Sequence, residues 1–189
     1  MNSSTVQSEY PEQYRKTIVL SDGVQALLRP IKPTDESLIV ELFNSFSKET
    51  IYFRFFSTLK YMPKEQLEQL THMDYEKQMA IGALVSECGK EKMVAIGRYT
   101  LEEKEPGAAE FAIVVQDACQ GRGIGTEVLR HLAHVAKLQG VRVIIGYIMD
   151  ENSRMFAVLN RSGLKMTRRF WDRGVTRVDI PIDENVQIT

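Results

Sequence analysis

Glu110-Phe111-Ala112-Ile113-Val114-Val115, then Gln116-Asp117-Ala118-Cys119-Gln120, then Gly121-Arg122-Gly123-Ile124-Gly125-Thr126 is the run whose reading decides the fold. Its first part is short, apolar and β-branched, which predicts a buried strand. Glycines follow at alternate positions, and a helical stripe opens on them. Ile124, Val128, Leu132 and Ala136 stand four apart, with Leu129 and Val135 widening the stripe. A strand, a glycine loop and a helix N-terminus in that order predict an anion site. Glycine lets backbone N–H groups approach a ligand with no Cβ in the way, and the first helical turn carries unpaired donors and a partial positive charge. A phosphate suits such a cradle.

The kind of phosphate ligand depends on the spacing. A P-loop needs a lysine directly after its last glycine, and none stands there. A dinucleotide fingerprint follows its strand at once and opens a long βαβ series. Here five residues separate Val115 from Gly121, and too little chain remains for such a domain. Gln120, Gly123 and Gly125 instead spell Gln-x-x-Gly-x-Gly. Behind a Val-Val strand, that pattern resembles the coenzyme-A loop of the GNAT N-acetyltransferase superfamily.

At 189 residues the chain suits one domain with a real core. The pattern divides it into a polar tail over 1–14, mobile or loosely docked, and a single domain over 15–189. Hydrophobic residues make up 43% and charged residues 26%, the balance of an ordinary soluble protein. Lys and Arg number 24 against 25 Asp and Glu, so nothing global argues for nucleic acid or an anionic membrane as partner. No segment nears the ~20 apolar residues of a membrane span. The polar start (Asn2, Ser3, Ser4, Gln7) lacks a signal peptide's apolar stretch. Cys88 and Cys119 make no disulfide framework, so a reduced cytoplasm is the simplest expected location.

Lys16–Leu20 and Ala26–Ile31 flank Ser21-Asp22-Gly23, a hairpin signal. Thr34 suits the N-cap of a helix, with Asp35 and Glu36 set against its dipole and Leu38, Ile39, Leu42, Phe43 and Phe46 on one face. A second helix is expected over Lys48 to Phe56, dense in aromatics around Arg54. Pro63 opens a third, carrying Leu67 and Leu70 inward. Met79 to Val85 and Lys92 to Leu101 predict a hairpin about Cys88-Gly89-Lys90. Beyond the glycine loop the helix runs to about Gln139 and stops at Gly140. A strand over Val141 to Met149, a helix over Ser153 to Ser162, and a hairpin of Leu164–Trp171 with Val175–Ile182 close the chain.

This order is similar to the GNAT arrangement along nearly the whole chain. The resemblance implies an α/β (α+β) acyl-CoA N-acyltransferase fold, a mixed, mostly antiparallel twisted sheet flanked by helices. A splay is expected between the strand before the loop and the strand after its helix. By the same resemblance Ile113, Val114 and Val115 pair with the pantetheine arm of coenzyme A. Phosphates would sit on the N–H groups of Gln120, Gly121, Arg122, Gly123, Ile124, Gly125 and Thr126, with the Arg122 side chain available as a charge partner. Asn152, ahead of Met155, Val158 and Arg161-Ser162-Gly163-Leu164, resembles the superfamily's Asn-led helix and is counted with the cofactor-binding residues.

Amide formation from a thioester and an amine makes two demands. The amine must lose a proton, because a lysine of pKa ~10.4 is almost wholly charged at neutral pH. The carbonyl oxygen must be stabilised as the tetrahedral intermediate forms. Glu110 suits the first task. Alternation puts Glu110, Ala112 and Val114 on one face and Phe111, Ile113 and Val115 on the other, and a carboxylate on an apolar strand is costly unless used or paired. The alternative is a strand-end glutamate in solvent after the acidic linker 102–107.

Four further segments look like the bacterial protein lysine acetyltransferase group: Arg29-Pro30-Ile31-Lys32-Pro33-Thr34-Asp35, Ser47-x-Glu49-Thr50-x-Tyr52-x-Arg54-Phe55-Phe56, Asp74-Tyr75, and Ala109 to Val115. That likeness implies acetyl transfer from acetyl-CoA to a primary amine, a protein lysine, with Glu110 as general base and no metal. A small amine such as a polyamine or antibiotic is the same-class alternative, and a non-catalytic acyl-CoA sensor the different-class one. A homodimer stays open. The sensor gains from one departure, since Leu159 stands where many relatives carry a tyrosine that protonates the departing thiolate. A thiolate of pKa ~8.5 can leave unaided, or Tyr147 can serve, and no acid is assigned. His131 and His134 lie three apart without a matching Asp, Glu or Cys, so packing is expected of them rather than a metal.

Overall fold

The computed structural model describes residues 9–182, so part of the expected tail, residues 1–8, lies outside the described residues. Residues 9–14 are docked: the Tyr10 hydroxyl donates to the Pro30 carbonyl (2.9 Å), and the Tyr14 carbonyl meets Nε2 of His131 (2.7 Å). Burial lowers the His131 pKa, and its ring stacks on His134. Among the described residues no group of three or more His, Cys, Asp or Glu could hold a metal ion. None of the described helices is long and apolar enough to cross a membrane.

One eight-stranded sheet organises the chain. β1 (Lys16–Val19), β2 (Gln25–Pro30), β3 (Gln78–Glu87), β4 (Lys90–Leu101) and β5 (Ala108–Val115) follow one another as antiparallel neighbours. β6 (Val143–Met149) then lies parallel to β5, and the hairpin of β7 (Thr167–Asp172) and β8 (Val175–Pro181) closes the far side with β8 against β6. A parallel neighbour needs a crossover, and α4 (Ile124–Leu138) supplies it. Gly97 lets that helix lie close on β4, because a Cβ there would stand 2.4 Å from Cγ1 of Val128. Val128, Leu129, Leu132, Val135 and Ala136 are wholly buried beneath it, as their spacing predicts.

The first helix departs from expectation. A 3-10 turn over Pro33–Asp35 precedes α1 (Glu36–Asn44), and Thr34 does not cap it. Asp35 turns inward to take both guanidinium nitrogens of Arg29 at 2.6 and 2.8 Å, and it also accepts from the Lys32 N–H at 2.8 Å. Arg29 sits at the buried end of β2, where a lone charge would be prohibitive, so its counter-ion is drawn from the helix start. Val141 is likewise not strand. Its N–H bonds back to Ala136 and that of Gly140 to Lys137, closing α4 before β6 begins. Around this frame α2 (Lys48–Phe55), α3 (Lys64–Thr71) and α5 (Ser153–Arg161) pack as expected, with Leu67 and Leu70 buried.

Candidate active site

The sheet opens where β5 and β6 part. They are paired only through Ala108 with Val143, Ala109 with Ile144 and Glu110 with Ile145, whereas β5 stays paired to β4 as far as Val115. From Phe111 onward one edge of β5 therefore has no strand partner. Phe111 fills the fork: a Cβ on Gly146 would stand 2.7 Å from its ring. The cleft continues into a cavity of about 750 Å³, bordered by β5, the glycine loop, α2, β6 and α5.

Every candidate cofactor residue except Arg122 lines this cavity: Ile113, Val114, Val115, Gln120, Gly121, Gly123, Ile124, Gly125, Thr126 and Asn152. Gly121 and Gly123 hold φ of +78° and +89°, where a side chain would be strained, and Gly123 is the N-cap of α4. The first turn of the helix therefore presents its unpaired N–H groups to the cavity. Gln120 braces the loop, its amide donating to the Val115 carbonyl at 3.1 Å and to the Thr50 hydroxyl at 3.4 Å. Asn152 caps α5 by accepting from the Met155 N–H at 3.0 Å.

Arg122 turns away. Its guanidinium meets Asp22 of the first hairpin at 2.6 Å, so the expected side-chain charge partner for a phosphate faces the wrong side. A loop that sends its backbone inward has to send this side chain outward, and the exposed hairpin carboxylate catches it. The Arg122 carbonyl also faces that hairpin, accepting from the Ser21 hydroxyl at 3.3 Å.

The opposite wall is α2. Ser47 caps it by accepting from the Thr50 N–H, and the Ser47 N–H (2.9 Å), the Ser47 hydroxyl (2.7 Å) and the Thr50 hydroxyl (2.9 Å) all donate to Asp117. Burial alone would raise the Asp117 pKa, but these donors outweigh it and hold the carboxyl below its usual range. The latch sets Phe53, Arg54, Phe55 and Phe56 along the cavity, with Phe55 packed against Phe43 at 5.8 Å.

Glu110 is exposed into this cavity at the fork. Burial and the nearby Glu102 push its pKa up, against the pull of Arg98 and Arg54. Arg98, which the sequence reading passed over, pairs across the ladder with Ala112, on the face that carries Glu110. A lone charge in Met93-Val-Ala-Ile-Gly-Arg98-Tyr99 was the available signal. Desolvation lowers Arg98, and it brings Arg54 down to about 10, with Arg98 itself adding repulsion. Tyr147 on β6 faces the cavity and packs on Trp171, ring centroids 4.8 Å apart, and burial raises its hydroxyl's pKa. Leu159 is fully buried in the core, away from any reaction.

A family model described as an acetyltransferase (GNAT) domain matches residues 25–165. The chain is 37% identical over 123 residues to Acetyltransferase PA5475 of Pseudomonas aeruginosa, covering 65% of this chain and 66% of that one. It is 30% identical over 154 residues to Acetyltransferase Pat of Mycolicibacterium smegmatis, covering 82% of this chain but 45% of that longer protein. The crystal structure of the GNAT domain of S. lividans PAT superposes with a TM-score of 0.82 at 31% identity, covering 92% of this chain and 99% of that one. A structure of yncA from Salmonella typhimurium with its cofactor acetyl-CoA shares the fold at 16% identity and a TM-score of 0.66, covering 87% of this chain and 98% of that one.

Proposed function

Because this chain belongs to the GNAT acetyltransferase family, whose members use acetyl-CoA, we propose that it transfers acetyl to the side-chain amine of a protein lysine, with Glu110 as general base and residues 15–189 as one catalytic unit. The observation that carries this reading is the position of Glu110 at the fork. Two carboxylates line the cavity, and Asp117 is committed to three hydrogen bonds. Glu110 has none from the protein among the described residues. The likeness to the bacterial protein lysine acetyltransferase group supports a protein acceptor, as does 31% identity across almost the whole GNAT domain of S. lividans PAT.

In this mechanism the N–H groups of the glycine loop and the first turn of α4 bind the coenzyme's diphosphate. The free edge of Ile113 to Val115 holds the pantetheine arm as an added strand would be held. Glu110 takes a proton from the acceptor ammonium, directly or through a water. The freed nitrogen forms its bond to the thioester carbon while the carbonyl oxygen gains the negative charge. Collapse of that tetrahedral species breaks the carbon–sulfur bond and releases a thiolate of pKa ~8.5, which needs no acid to leave, while the second proton of the attacking nitrogen passes to water or to the departed sulfur. The raised Glu110 pKa helps, because a base nearer the working pH matches the proton it must accept.

Incubating the protein with acetyl-CoA and either folded proteins or small amines, and following both coenzyme-A thiol release and acetyl-lysine by mass spectrometry, tests the reading. Acetylation of protein lysines is expected. Turnover on polyamines or antibiotics alone would move the chain to the small-amine class. Tight acetyl-CoA binding with no turnover on any amine would make it a sensor.

A further inference from the structure

Resting on that reading, we propose that Arg54 and Arg98 form an anion-binding pair beside the acceptor amine, selecting a lysine whose neighbouring side chain is an Asp or Glu carboxylate. Both arginines line the cavity with Glu110, one from α2 and one from β4. Neither guanidinium lies in an ion pair or a hydrogen bond with the protein among the described residues. By contrast the half-buried or buried Arg29, Arg122 and Arg177 all hold a carboxylate at 2.6–2.9 Å. Arg54 instead lies over the ring of Phe55, 4.9 Å from its centroid.

Service to Glu110 alone does not explain the pair. Neither arginine approaches that carboxylate to ion-pair distance, and the cavity's other carboxylate, Asp117, is taken up by Ser47 and Thr50. Holding like charges in the same half-buried space is unfavourable unless a guest compensates. An incoming ammonium would add a third positive charge, so a polycation is disfavoured here. An amine that brings its own carboxylate is not, and guanidinium groups match a carboxylate's geometry. The chemistry needed is a carboxylate within a side chain's length of the reacting nitrogen. A protein supplies it as an acidic neighbour of the lysine, and a free amino acid supplies it as its α-carboxylate.

The test uses three peptides that differ only beside one lysine, which carries Glu, Gln or Lys. They are assayed with the unaltered protein, Arg98→Gln and Arg54→Gln, and acetyl-CoA binding is measured on each variant as a check of folding. The Glu peptide should exceed the Gln peptide in kcat/KM by roughly ten- to a hundredfold, and the Lys peptide should be poorest. Either arginine substitution should collapse the order while acetyl-CoA still binds. Equal use of all three peptides by the unaltered protein, needing no variant, would overturn the proposal. So would an order that survives both substitutions, or variants that alter only the use of succinyl-CoA relative to acetyl-CoA, which would put the anion on the donor. No peptide turnover with arginine-dependent acetylation of free amino acids would overturn the protein-lysine reading and keep the anion pair. Turnover on polyamines alone would remove both.

Discussion

Ser47 and Asp117, 70 residues apart in sequence, are joined twice: the Ser47 N–H and its hydroxyl both donate to the Asp117 carboxylate. With Thr50 added, this carboxylate ties the N-terminus of α2 to the turn before the glycine loop. Replacing Asp117 with Ala should cost about 1–3 kcal/mol for the lost charge-assisted bonds and raise the KM for acetyl-CoA more than it lowers kcat. Because the folded-state pKa is depressed, the stabilisation is present above the ordinary carboxylate range and is lost as pH falls through the lowered value. Thermal melts of both proteins between neutral and acid pH check this: the difference should shrink with acidification.

Glu110→Gln should leave acetyl-CoA binding intact and cut turnover by about 10² to 10⁴. In the unaltered protein kcat/KM should rise with pH on a limb displaced upward from the ordinary carboxylate range, following the raised Glu110 pKa. That limb should vanish in the variant. A pH–rate profile with equilibrium binding alongside decides it, and unchanged turnover would remove Glu110 from the mechanism.

The Arg29–Asp35 pair is buried, at 5% and 3% exposure. Asp35→Ala should destabilise by about 3–5 kcal/mol, because it strands a buried guanidinium. Changing both residues to apolar ones of similar size should cost much less than the single change. Denaturant unfolding of the two variants would show a purely additive pair to be a mistaken account.

Gly123→Ala forces a side chain onto a residue at φ +89° with open space around it. The cost is therefore backbone strain, about 1–3 kcal/mol, and relief would tilt the loop's N–H groups. Acetyl-CoA affinity should fall while Glu110-dependent chemistry at saturating donor is kept, seen as a KM effect with kcat nearly unchanged.

Tyr147→Phe should slow turnover by less than about tenfold, since a thiolate of pKa ~8.5 leaves without a donor. A much larger loss, confined to kcat, would make the Tyr147 hydroxyl the proton donor that Leu159 cannot be.

The stripe from Ile124 to Ala136, the Val-Val strand and the alternate glycines predicted the crossover, the tight glycine turn before it and the core face of α4, because each depends on periodicity and on backbone conformations that only glycine takes readily. Glu110 was legible for a related reason, as a charge interrupting an apolar strand. The same signal marks Arg98, a lone charge in the apolar middle of β4. The Arg122–Asp22 ion pair was not legible, because a loop residue's side-chain direction depends on what lies opposite, and Asp22 is about a hundred residues away in the chain.

The chain's own residues thus determined the local elements, a carboxylate-bearing strand followed by a glycine loop and an amphipathic helix, since local backbone preference and hydrophobic period act within a few residues. Folding alone decided where the sheet parts after Glu110 and Ile145, which arginines are left without a carboxylate, and that Asp117 rather than Glu110 is spoken for by hydrogen bonds. Those outcomes come from packing between segments far apart in sequence, where a difference of a few ångströms decides whether two charges pair.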